Sequence, residues 1–91
     1  MPVGGSATVD GTGVAFEVIQ ASGPAAGCND CPNLVRLQVT CPPDSATLDY
    51  AFSGGMSEAA LESARKKSAC GLQFYVVQVQ EGSATIRVDP A

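Results

Sequence analysis

The phrase Ser-Ala-Thr followed by an aliphatic residue occurs at Ser6–Val9, Ser45–Leu48 and Ser83–Ile86, and the first two copies extend further without a gap. Ser6 to Cys31 and Ser45 to Cys70 have equal length, each closed by a cysteine. A duplicated strand-plus-connection unit limits topology more tightly than single-residue propensities, because both copies must satisfy one supersecondary plan. The chain therefore reads as one domain over residues 1–91, duplicated internally over 6–31 and 45–70. A chain of 91 residues buries only about 60–65% of the surface its unfolded form exposes, so cross-links add a useful margin. Its 45% hydrophobic and 15% charged residues supply enough apolar area for a folded core.

Ser6 to Asp10 alternates as a strand and ends at the breaker Gly11-Thr12-Gly13. Val14 to Ser22 is ambiguous. Val14, Phe16 and Val18 alternate as a strand would, while Thr12 as N-cap and the Val14/Val18 and Ala15/Ile19 spacings suit a helix. The equivalent span Ser57 to Ala69 carries clear helix signals. Ser57 caps it, Glu58 and Glu62 lie near its start, and Met56 and Leu61 can staple it. Arg65-Lys66-Lys67 fill the last turns, and Gly71 follows as the residue past the end. By analogy Val14 to Ser22 becomes a shorter helix, trailed by Gly23-Pro24-Ala25-Ala26-Gly27. Leu34 to Thr40 and Ser45 to Phe52 read as strands separated by Cys41-Pro42-Pro43-Asp44. Leu72 to Gln80 is a long strand, and Glu81-Gly82 turns the chain into Ser83 to Asp89. The expected architecture is a ferredoxin-like β-α-β-β-α-β sandwich with an extra C-terminal strand. The alternative makes Ser6 to Gln20 a hairpin and yields an antiparallel sheet with one helix.

Four cysteines and no histidine favour two disulfides and an oxidising compartment. Cys28-Asn29-Asp30-Cys31 also fits a zinc knuckle or a dithiol centre. A four-thiolate zinc site needs Cys41 and Cys70 as well, whose spacing forms no second knuckle. Redox catalysis needs the motif at a helix start, whereas Pro32 and a strand follow here. In the β-α-β-β-α-β plan Cys41 ends the second strand and Cys70 the second helix at one end of the sheet, with Cys28 and Cys31 at the other. That places 41 with 70 and 28 with 31, one of three possible connectivities.

Without histidine, Ser-His and Cys-His dyads are impossible, and a general base has to be a carboxylate or a lysine. Asp10 and Asp49 hold equivalent places in the two copies, but the expected sheet sets them at opposite ends rather than paired. Gly11-Thr12-Gly13 and Ser53-Gly54-Gly55 precede the expected helices and could offer amides to an anion, yet neither has an adjacent lysine. No catalytic residue and no cofactor are expected. Five basic and nine acidic residues give a net charge of −4, which opposes nucleic-acid and anionic lipid partners. No segment reaches the ~20 apolar residues of a membrane span. Met1 to Gly5 lacks the features of a secretory signal, so the expectation is either a cytosolic protein or a mature secreted chain carrying an initiator Met, with secretion preferred on cysteine content. Phe74, Tyr75, Val76, Val77 and Val79 read as a buried strand, with Tyr50 and Tyr75 as candidate partner anchors.

Residues 6–80, stapled through Cys28, Cys31, Cys41 and Cys70, resemble the killer-toxin-like small secreted effectors of fungi in architecture. That resemblance implies a compact β-α-β-β-α-β sandwich held by cysteines. The functional expectation is a non-enzymatic, extracellular interaction protein that binds a protein or cell-surface target, with Leu34 to Thr40 as an edge strand able to accept a partner strand. The alternatives are an intracellular domain with structural zinc and a plain assembly module.

Overall fold

A computed structural model of the protein describes residues 1–24, 27–28 and 31–91. Ala25 and Ala26 of the Gly-Pro segment, and Asn29 and Asp30 between the first two cysteines, lie outside the described residues. The chain runs β1 (Ser6–Val9), β2 (Val14–Ser22), β3 (Asn33–Cys41), β4 (Asp44–Phe52), α1 (Glu58–Ala64), β5 (Lys66–Ala69), β6 (Leu72–Gln80) and β7 (Ser83–Pro90). Two sheets form, ordered β1-β2-β3-β4 and β5-β6-β7. Every neighbouring pair is antiparallel. The ferredoxin-like expectation is thereby overturned, and the architecture is that of the alternative, antiparallel β with one short helix.

The decisive segment is Val14–Ser22, which is a strand. Gly11 and Gly13 take φ of 75° and 72°, and the Thr12 hydroxyl donates to the Val9 carbonyl (2.7 Å) while accepting from the Val14 N–H (3.1 Å). The breaker thus closes a hairpin, and Thr12 caps no helix. Period two then wins over the helical spacing, because Val14, Phe16 and Val18 all bury on one face. A bulge between Val18 and Gln20 leaves Ile19 outside at 41% exposure and returns Ala21 to the interior.

The expected helix over Ser57–Ala69 is cut in half. Ser57 does cap it, its hydroxyl accepting from the Ala60 N–H at 3.2 Å, but α1 ends at Ala64 with Arg65 as C-cap. None of its residues is buried, so little apolar contact supports further turns. Lys66–Ala69 instead pairs with Leu72–Tyr75. Cys70 (φ 55°) and Gly71 (φ 75°) make the two-residue turn between these strands, which takes Gly71 away from its expected role at a helix end. Tertiary pairing has overridden helix propensity. The two Ser-Ala-Thr units thus fold differently past their first strand, although all three copies of the phrase begin or lie within strands.

One apolar layer lies between the sheets. Phe16, Val18, Val35, Leu37, Val39, Leu48, Tyr50 and Phe52 meet Leu72, Phe74, Val76 and Ala84. Phe16 and Phe74 pack edge to face at 5.4 Å between ring centres. The molecule's thinnest dimension, 17 Å, suits two sheets stacked about 10 Å apart. Tyr50 is fully enclosed, and its hydroxyl donates across the core to the Phe74 carbonyl at 2.8 Å. The N-terminal segment sews up one side of the sandwich. Gly4 and Gly5 bond to both backbone groups of Val18 on β2, while Met1 and Val3 bond to Ala84 and Gly82 at the start of β7.

Truncation of Phe74 to Ala is expected to cost about 3–5 kcal/mol in urea unfolding. Val77→Thr at the second bulge, where Val77 is 41% exposed, stays within about 0.5 kcal/mol. Burial pushes the Tyr50 phenol well above its ordinary range. Unfolded chains therefore lose that proton first, so stability holds below about pH 10 and falls as the pH rises beyond it. Tyr50→Phe should lower stability by about 1 kcal/mol at neutral pH and flatten the alkaline decline, both measurable by urea titration across that pH range.

Candidate functional site

The structure scatters the residues weighed as candidates for chemistry. Its cysteines form two disulfides, Cys28–Cys31 and Cys41–Cys70. Cys41 closes β3, and Cys70 sits in the β5–β6 turn rather than at a helix end, so this bridge ties the four-stranded sheet to the three-stranded one. Among the described residues no group of His, Cys, Asp or Glu is arranged to hold a metal. Asp10 lies in the β1–β2 turn and Asp49 on β4, at opposite edges of one sheet. Asp49 accepts from Arg36 Nε at 2.6 Å on the outer face, and the two aspartates are not brought together.

Both glycine loops lose the setting that an anion site requires. Gly11-Thr12-Gly13 leads into a strand, and Ser53-Gly54-Gly55 precedes a helix of only 7 residues. Tyr50 is spent in the core. Tyr75 does reach the outer face of β6, where its hydroxyl donates to Glu62 at 2.8 Å and the Arg87 guanidinium lies 4.6 Å from its ring centre. Those neighbours already satisfy both its polar tip and its ring. Of the expected strand stripe, Phe74 and Val76 are buried, whereas Val77 is exposed. Among the described residues no helix is long and apolar enough to cross a membrane.

The expected edge Leu34–Thr40 is interior, because β3 is flanked by β2 and β4 along its length. The edges are β1 and β4 in one sheet, β5 and β7 in the other. They differ in how far they are protected from pairing with another chain. β1 and β5 have 4 residues each, and β5 also carries Lys66 and Lys67. β7 ends in Pro90 and meets the N-terminal segment at Ser83 and Ala84. β4 is 9 residues long, runs from Asp44 to Phe52 in unbroken register with β3, and contains no lysine, proline or bulge. Among the described residues no backbone hydrogen bond reaches its outer edge. Short length, lysines, prolines and bulges are usual protections of a sheet margin, and β4, against which α1 and β5 pack, lacks these four.

Sequence reasoning found β4 as a strand but not its place. The alternation of Leu48, Tyr50 and Phe52 signals one buried face, whereas nothing local tells an edge from an interior strand. Comparison with protein families, curated proteins and solved structures yields no match to this chain.

Loss of the Cys41–Cys70 bridge, whose partners are 29 residues apart, should cost about 3–4 kcal/mol from loop entropy. Loss of Cys28–Cys31, with a separation of 3, should cost about 2 kcal/mol. Urea midpoints of the two paired Cys→Ala variants test this order.

Proposed function

We propose that the protein is a non-enzymatic interaction module that binds a partner protein by accepting an extended segment at the edge of β4. The observation that carries this reading is the 9-residue strand margin without lysine, proline or bulge, presented by a sandwich whose two sheets the Cys41–Cys70 disulfide joins. Strand addition takes its affinity from main-chain hydrogen bonds and its specificity from alternate side chains. A host edge already fixed in extended form loses little conformational entropy when a strand docks.

Disulfides suit an oxidising, extracytoplasmic setting, and we place the module there, as a binder of the toxin or effector kind. The β-α-β-β-α-β architecture behind the family resemblance is not the one the chain adopts. The functional reading therefore stands on the edge strand and the cross-links alone. Zinc finds no support in the geometry, since both pairs of sulfurs are bonded to each other.

Panning a display library of short random peptides against the protein tests the proposal. Selected peptides are expected to slow hydrogen exchange at β4 amides and to lose binding when Thr47, exposed on β4, is changed to Pro. Selection of peptides that protect the Tyr75 face and leave β4 exchange unchanged overturns it.

A further inference from the structure

The flank of the sandwich formed by β4 and β5 carries opposite charges on its two layers. β4 presents Asp44 and Asp49 and no cation, whereas β5 presents Lys66 and Lys67 and no carboxylate. Lys67 stands opposite Phe74, on the inner register of β5, and is nevertheless exposed. Arg65 lies at the same side, its guanidinium 4.9 Å from the centre of the Phe52 ring at the end of β4. Its Nε is enclosed by protein without a hydrogen-bond partner. The two ion pairs among the described residues are Arg36–Asp49 and Arg87–Asp89, so Arg65, Lys66 and Lys67 pair with no described carboxylate.

A strand added to β4 alternates its side chains between two environments. Outward positions stand beside Ser45, Thr47 and Asp49, where Arg36 engages only Oδ1 of the aspartate. Inward positions stand over the cationic margin of Arg65 and Lys67. Resting on the strand-addition reading, we infer that β4 selects an extended partner segment of alternating charge, basic residues outward and acidic residues inward. Cross-strand pairs of opposite sign favour this phase and register. Such a segment has little net charge, so the −4 of the whole chain does not repel it at a distance. A second copy of this chain is disfavoured. Joining β4 to β4 about a twofold axis sets β5 beside β5 and crowds Lys66 and Lys67 of both molecules together.

Two synthetic peptides of equal length test the inference, one alternating Lys and Glu, the other alternating Thr and Gln, each titrated into isotope-labelled protein. The Lys-Glu peptide is expected to shift β4 amide resonances and to bind about fivefold tighter than the neutral one. That preference should vanish in Lys67→Glu, whose circular dichroism stays native. Equal binding of both peptides at β4 overturns the charge inference while strand addition stands. Failure of both to move β4 resonances overturns strand addition and the inference with it. Sedimentation showing a dimer that Thr47→Lys dissociates identifies a second copy as the occupant and also overturns it.

Discussion

Closure of two antiparallel sheets over one shared apolar layer is the constraint on which everything else in this molecule rests. A chain of this size has few residues with which to build an interior. Every long strand contributes, and the side chains of Phe16, Leu37, Tyr50 and Phe74 meet from both sheets. The bulges at Ile19 and Val77 follow from this demand. Each adds a residue to a strand that must twist to stay on the opposing sheet, and each puts the extra apolar side chain outside. The Tyr50 hydroxyl enters the interior with a partner, the Phe74 carbonyl, whereas Nε of Arg65 is enclosed without one.

The strands were legible wherever period two stood alone. Leu34–Thr40, Ser45–Phe52, Leu72–Gln80 and Ser83–Asp89 each lie inside an observed strand. Val14–Ser22 was illegible because its local spacing satisfies both periods and the internal repeat, which favours a helix there, does not carry through to the fold. The phrase recurs in three strands, β1, β4 and β7, but the segments after its first two copies meet different neighbours. Val14–Ser22 lies between β1 and β3, whereas Ser57–Ala69 must cross from one sheet to the other and form a new edge. Helix signals at Ser57 and Glu58 were correct for the first turns. They failed where Lys66–Ala69 gained a pairing partner in β6, a long-range fact that no window of residues contains.

The candidate site was less legible than the fold for a related reason. A strand's edge status belongs to the whole sheet order, and Leu34–Thr40 and Ser45–Phe52 look alike in composition and periodicity. What the sequence does carry is the distribution of protective residues: lysines fall on one short edge, a proline ends another, and the longest edge has neither. Tyr50 and Tyr75 show the same limit. Only the core's geometry sends one inward and sets the other on the surface under Arg87.

The N-terminal segment also gives the sandwich a mechanical asymmetry. Met1 to Gly5 hydrogen-bonds to β2 through Val18 and to β7 through Gly82 and Ala84, so a pull applied through this end loads both sheets at once. The opposite flank is joined chiefly by Cys41–Cys70 and the short helix. Under tension one seam is therefore held by a row of backbone hydrogen bonds that can yield one by one, and the other by a covalent bond that cannot.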